Sequence, residues 1–101
     1  MPEPLNIVFH RPGPHWRAGV APFQQDGIQL HVAHYRQWAD NGKLLFGGPF
    51  LDAGGGGMMV AALGVGADEL QAFAAADPAV ASGLLLFEVR PWMAGMRTVQ
   101  F

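Results

Sequence analysis

At 101 residues, the chain is long enough for one domain, 1–101, with a single hydrophobic core. Half of its residues are hydrophobic and only 14% are charged, so we expect an apolar surface patch that a partner subunit covers. The net charge of -2 and the scattered cations argue against nucleic-acid binding. The absence of cysteine excludes disulfides and thiolate chemistry.

No segment of the sequence is suited to crossing a membrane. The longest stretch without a charged residue, 53–67, is rich in glycine, whereas a membrane helix needs about 20 predominantly apolar residues. The absence of cysteine is compatible with a reducing compartment. We therefore expect a cytoplasmic protein that requires neither a membrane nor a cofactor.

The first predicted strand covers residues 5–11, which alternate in the manner of a half-buried strand. Leu5, Ile7 and Phe9 share one face, and the residues between them share the other face with His10. Because successive side chains of a strand point to opposite faces, the two sets are expected on opposite sides of a sheet.

A long loop over residues 12–25 precedes the first predicted helix. This helix is predicted to begin at Asp26, because Asp26 and Gln29 have the spacing of a capping box. Apolar residues then recur at helical spacing. Asn41-Gly42 is predicted to end the helix, since glycine is favoured just past the last turn.

The second half of the chain reads as a hairpin, a helix and a last strand. The four glycines at 54–57 lie between two strands without a Gly-Lys-Ser/Thr, which favours a hairpin turn over a phosphate loop. The second helix is predicted to end at Asp77-Pro78, because proline disfavours helical geometry in the preceding residue. The predicted strands are 43–52, 58–63 and 83–91, and residues 93–101 form a C-terminal tail.

The order strand, helix, strand, strand, helix, strand predicts an α+β fold of the ferredoxin-like βαββαβ type with an antiparallel sheet. Right-handed crossovers place both helices on one face of the sheet. The last strand is apolar on both faces, since Leu84 and Leu86 alternate with Leu85 and Phe87. The face without helices therefore needs a second layer. We expect a homodimer in which a second copy of the sheet covers this open face.

The predicted topology brings chemically useful residues to one edge of the molecule. His31 lies near the start of the first helix, about 60° from the centre of its apolar stripe. Asp77 lies at the end of the second helix, and Gly48 and Pro49 lie late in the second strand. A histidine beside a carboxylate forms a general acid–base pair near neutral pH.

Simpler interpretations of the same residues stay open at this stage. His31 alone also fits a structural hydrogen bond or a surface position, and Asp77 alone fits a cap of the turn before Pro78. Trp16 in the loop fits either a pocket wall or a loop anchor. The histidines do not form a spaced metal-binding motif, so we expect no metal site.

Three segments resemble the YciI-like (YCII-related) family. The first is His31–Pro49, HVAHYRQWADNGKLLFGGP, with a helical histidine followed by a glycine that opens a strand ending in Gly-Pro. The second is DPAVASGL, which begins at Asp77, and the third is EVRPW, which ends at Trp92. The resemblance covers about Asp26 to Trp92, and its specificity comes from the order and spacing of the three segments.

The resemblance implies a dimeric α/β barrel, in which ferredoxin-like subunits pack sheet to sheet. It also implies an active site in which the histidine and aspartate of the family fall on His31 and Asp77. Some similar proteins are linked to dehydrochlorination or lactone chemistry. This chain departs from the pattern in its longer loop, where Trp16 and Phe23 would reshape the pocket.

Two hypotheses for the function follow from these observations. The first is a small-molecule enzyme, a lyase or a lactone-directed enzyme, with His31 and Asp77 as the catalytic pair. Gly48, Pro49, Trp16 and Phe23 would then bind its unidentified substrate. The second is a small-ligand-binding or assembly module without turnover, which fits the charge-poor composition.

Overall fold

The computed structural model describes residues 3–100. Met1, Pro2 and Phe101, at the ends of the predicted domain and its tail, lie outside the described residues. Within residues 3–100, no helix combines the length and the hydropathy that a membrane crossing needs. The regular elements of this range are β1 (Leu5–Pro12), α1 (Ile28–Asp40), β2 (Leu44–Pro49), β3 (Gly57–Ala61), α2 (Ala67–Ala75), α3 (Pro78–Ala81) and β4 (Leu85–Trp92), with a 3-10 turn at Pro22–Gln24.

The four strands form one sheet in the order β2-β3-β1-β4. Each neighbouring pair is antiparallel, with Ile7 opposite Val60 on one side of β1 and opposite Arg90 on the other. This α+β architecture is compatible with the ferredoxin-like fold. The prediction of an antiparallel sheet is therefore confirmed.

Both long helices pack on the same face of the sheet. Val8 of β1 and Ala61 of β3 form one buried cluster with Trp38 of α1 and Leu70 of α2. Phe87 packs against the same cluster, as the alternation of the last strand predicts.

The opposite face of the sheet is partly covered by the chain's own C-terminal segment. Leu5, Ile7 and Val60 are buried on this face, and Ala94 belongs to the same cluster. The centre of the face is therefore not bare, contrary to our expectation, because the segment after β4 packs back onto it. Exposed apolar side chains remain on β4, where Leu86 and Trp92 lie at the surface.

The start of α1 differs from the prediction. The N-cap residue is Gly27 with φ 87°, and no side chain caps the helix, so the capping box is wrong. Asp26 instead forms an exposed ion pair with Arg17 at 3.1 Å. The predicted helix end is confirmed, since Asn41 is the C-cap and Gly42 has φ 75°.

The region around Asp77 also differs from the prediction. Helix α2 ends at Ala75, and Asp77 is the N-cap of α3, a separate four-residue helix. Pro78 occupies the first position of α3, where its missing N–H costs no hydrogen bond. The Asp-Pro pair therefore both follows one helix and begins the next.

The glycine run forms the predicted hairpin turn between β2 and β3, closed by a hydrogen bond from the Phe50 N–H to the Gly56 carbonyl oxygen. Gly56 has φ 75°, and a side chain there would collide with the backbone carbonyl oxygen of His10. The hairpin thus approaches β1 as closely as a glycine allows, at the strand position that carries His10.

We expect Gly56→Ala to lower the free energy of unfolding by about 2 kcal/mol or more, because it combines a left-handed backbone with a backbone clash. The measurement is urea denaturation followed by circular dichroism. Gly95→Ala is the control, since a Cβ at Gly95 meets nothing within 4 Å. Equal midpoints for the two variants would contradict the close approach.

Candidate active site

Asp77 uses its two carboxylate oxygens for two different partners. Its Oδ1 accepts a hydrogen bond from the Ala79 N–H at 2.9 Å, and this bond caps α3. Its Oδ2 lies 2.5 Å from Nδ1 of His31. The side chain is fully buried. The capping role and the histidine partnership, which the sequence offered as alternatives, are therefore both present.

His31 connects this carboxylate to a cavity. Its Nδ1 bonds Asp77, and its Nε2 forms no hydrogen bond among residues 3–100. In the same range, every solvent-inaccessible side-chain nitrogen or oxygen has a hydrogen-bond partner. Because Nε2 has none, it must be accessible to solvent. In the neutral ring, whose Nδ1–H donates to the carboxylate, Nε2 presents its lone pair to the cavity.

The cavity has a volume of about 350 Å³ and lies between α1 and the β2 edge of the sheet. All four residues that the sequence proposed for substrate binding line it: Trp16, Phe23, Gly48 and Pro49. His31 lines it too, whereas Asp77 does not and lies behind the His31 ring. The geometry therefore brings the predicted residues together, while their roles stay predictions.

The long loop is held against the cavity by one buried amide. Gln25 accepts a hydrogen bond from the Arg17 N–H at 2.9 Å and donates to the carbonyl oxygens of Arg17 and Val20 at 2.8 and 2.9 Å. These bonds tie both ends of the segment that precedes Phe23. Trp16 packs against the buried cluster of Ile28 and therefore anchors the loop as well as lining the cavity.

Two further polar side chains of the cavity wall were missed by the sequence analysis. His10 Nε2 lies 3.9 Å from Asp77 Oδ2 and 3.4 Å from the Tyr35 hydroxyl. The His10 and His31 rings are nearly perpendicular, with centroids 4.9 Å apart. A signal was present for Tyr35, which lies on the apolar stripe of the first helix, whereas His10 shares its strand face with Asn6 and gave no such signal.

Burial and charge set different protonation states within this cluster. Burial, followed by the charge of His31, lowers the pKa of His10 to about 4, although Asp77 acts in the opposite direction. Burial and the nearby Asp77 raise the pKa of Tyr35 above its usual value. Burial alone would raise the pKa of Asp77, but the His31 hydrogen bond and charge and the Ala79 N–H together lower it. At neutral pH the carboxylate is therefore ionised, and His10 and Tyr35 are neutral.

The fold also gathers three groups of the kinds that bind metals. One ligand atom each from His10, His31 and Asp77 lies within 4.8 Å of the others, although their sequence spacing did not indicate a site. Two of the three, His31 Nδ1 and Asp77 Oδ2, are hydrogen-bonded to each other. A metal ion would have to replace that bond, so the observed arrangement is that of a hydrogen-bonded pair.

Comparison with known proteins assigns no function to this site. No protein-family model matches the chain, and no curated protein matches it. The YciI-like resemblance therefore stays a prediction that depends on the three sequence segments.

We expect acid to destabilise the protein in a pH window set by His10. Its pKa is about 4 when folded, against 6.5 ordinarily, so the unfolded chain binds more protons between these values. The free energy of unfolding should be highest above pH 6.5 and fall by ~3 kcal/mol as the pH drops to 4. Below that, protonation of Asp77, whose folded pKa is lowered, should remove more.

Urea denaturation at a series of pH values measures this effect. His10→Phe should flatten the slope between pH 6.5 and 4. The control His34→Phe should keep it, because His34 stacks on Phe73 and lies outside the cavity wall. An unchanged slope in His10→Phe would show that His10 is not the group responsible.

Proposed function

We propose that this protein is a small-molecule enzyme in which His31 moves a proton to and from the substrate. The observation that carries the proposal is the 2.5 Å hydrogen bond between His31 Nδ1 and Asp77 Oδ2. It fixes the tautomer and orientation of the ring and stabilises the imidazolium that forms when Nε2 takes a proton. Asp77 acts through His31 and is therefore a positioning residue.

Proton transfer or addition–elimination is the reaction class that this wall supports. The chain contains no cysteine, and neither Ser82 nor Thr98 lines the cavity. Among residues 3–100, Tyr35 is the one side chain that brings a hydroxyl to the wall, and its raised pKa keeps it protonated. A covalent acyl-enzyme would need an activated nucleophile, so general acid–base chemistry on a small, largely apolar molecule is the better fit.

The family assignment belongs to the same proposal. A YciI-like identity, with lyase chemistry such as dehydrochlorination or with lactone chemistry, is supported by the three sequence segments and by the antiparallel α+β sheet. A cytoplasmic location is proposed from the cysteine-free composition alone. The alternative function is a ligand-binding module that uses the same cavity without turnover.

We also propose that two copies associate through the face of the sheet that carries no helix, as in a dimeric α/β barrel. Glu88 and Arg90 are two positions apart in β4, so both lie on the face without helices. The Arg90 guanidinium lies over the Phe9 ring, 5.8 Å from its centroid. A two-fold axis between them would place each charge near its opposite in the other copy. Leu86 and Trp92, both partly exposed, supply apolar area beside these charges.

A thermal-shift screen of small carbonyl compounds should identify ligands, because binding to the native state raises the melting temperature. On an accepted substrate, assayed at a temperature at which circular dichroism shows the variant to be folded, His31→Gln should lower kcat by ~10²–10⁴-fold. Asp77→Asn should lower kcat and alter the pH profile, since an amide caps α3 but no longer fixes the ring tautomer.

His34→Gln is the matched control, since His34 lies on the same helix but outside the cavity wall. Full turnover in His31→Gln would remove the catalytic role. Ligand binding without turnover in the wild type, across the screened compounds, would favour the binding module.

We expect a dimer by analytical ultracentrifugation at micromolar concentration. Trp92→Glu should shift the protein towards monomer, because it places a charge in the apolar part of the proposed interface. Leu51→Glu is the control, since Leu51 is 89% exposed and lies in the hairpin between β2 and β3. A wild-type monomer, or equal dissociation of both variants, would contradict the interface.

A further inference from the structure

His10 and Tyr35 lie in the cavity wall, but the proposed base role of the His31–Asp77 pair gives neither of them a function. Both are buried, with 4% and 2% of their surfaces exposed. Buried polar groups cost free energy unless they are hydrogen-bonded. The contact between the Tyr35 hydroxyl and His10 Nε2 satisfies one polar atom of each side chain, which leaves the role of His10 Nδ1 to be explained.

His10 contacts the Tyr35 hydroxyl, and we assign the tautomer of His10 from this contact. The hydroxyl is protonated, and His10 Nε2, at 3.4 Å, is its hydrogen-bond partner among residues 3–100. When the hydroxyl donates, Nε2 accepts through its lone pair, so a neutral His10 carries its hydrogen on Nδ1. This tautomer is assigned from the hydrogen bonding.

The Nδ1–H of His10 is available to a ligand. Nδ1 forms no hydrogen bond within residues 3–100. Every solvent-inaccessible side-chain nitrogen or oxygen in that range has a partner, so Nδ1 is accessible to solvent. Since His10 lines the cavity, Nδ1 is reachable from it. The cavity thus contains one imidazole that presents a lone pair, His31, and one that presents an N–H, His10.

The charge state of His10 also bears on this role. Burial and the neighbouring His31 keep His10 neutral at neutral pH. A cationic His10, with its ring centroid 4.9 Å from that of His31, would oppose proton uptake by His31. A neutral donor instead stabilises an anion without competing for the proton.

We propose that His10 donates its Nδ1–H to an oxyanion that forms on the substrate when His31 Nε2 removes a proton, so that the substrate is a small carbonyl compound with a hydrogen on the adjacent carbon. The C–H bond breaks, its proton passes to Nε2, and its electron pair forms the carbon–carbon double bond of an enolate. The carbonyl π pair moves to oxygen, where His10 binds the charge. This inference rests on the proposed base role of His31.

The probe for this test is 4-nitrophenol, a flat molecule whose ionisable oxygen imitates the enolate oxygen and whose anion absorbs at longer wavelength than the neutral form. The matched ligand is 4-nitrotoluene, which has a similar shape but no oxygen to ionise. Isothermal titration calorimetry gives both affinities, and absorbance below the pKa of free 4-nitrophenol reports whether the bound form is ionised. The wild type should bind the phenolate in preference to 4-nitrotoluene.

His10→Phe should weaken phenolate binding by ~10–100-fold, the effect of one hydrogen bond to a charged group, and should not weaken 4-nitrotoluene binding, because the phenyl ring keeps an apolar wall. His10→Gln, whose amide keeps an N–H donor, should restore part of the loss. Tyr35→Phe should weaken phenolate binding less. Without the hydroxyl, His10 is no longer held in the Nδ1–H tautomer, but its ring still carries an N–H that can donate. The Tyr35 variant also provides a test if His10→Phe does not fold, and His34→Phe is the control.

The two proposals fail in different ways. Ionised 4-nitrophenol bound to His31→Gln would contradict His31 as the base. Loss of ionisation in His31→Gln, with no selective loss of the phenolate in any His10 or Tyr35 variant, would leave the base in place and overturn the donor role. A wild type that binds neither ligand, or both equally, would overturn the inferred substrate class.

Discussion

The candidate site depends on one fully buried carboxylate. Asp77 lies where solvent cannot solvate its charge, so each oxygen needs a partner within the protein. The Ala79 N–H satisfies Oδ1 at the start of α3, and His31 of α1 satisfies Oδ2. Removing either partner would leave part of a charge uncompensated, at a cost of several kcal/mol. The same bonds therefore fix the position of α3 against α1 and the orientation of the imidazole at the cavity.

The cavity wall follows from constraints of the same local kind. Gln25 ties the loop that carries Phe23, and Gly56 lets the β2–β3 hairpin approach the strand position of His10. As a result, two imidazoles with different environments meet within 4.9 Å, centroid to centroid. One is paired with a carboxylate and the other is paired with a neutral hydroxyl of Tyr35. Titratable side chains in contrasting environments within one cavity are typical of acid–base sites.

Much of the fold is accessible from periodicity, because burial of one face imposes a repeat of two on strands and of 3.6 on helices. The alternation of β1 and β4 is of this kind. The end of α1 was instead predicted from the preference of glycine for the position after the last turn, where Gly42 has a positive φ. The capping box at Asp26 failed because Gly27 begins the helix instead and the Asp26 side chain bonds Arg17. The docking of Ala94 on the sheet was equally hidden, since a short irregular segment has no period to detect.

The sequence by itself determined the order of the four strands and the two longer helices, the apolar faces and the individual suitability of His31 and Asp77 for an acid–base pair. It left each of these two residues with a local interpretation, a surface or structural histidine and a cap of the turn before Pro78. Only the tertiary structure decided that they are bonded and that His10 and Tyr35 adjoin them. The reason is physical: periodicity records which face of an element is buried, whereas contacts between side chains 46 positions apart depend on how those elements pack.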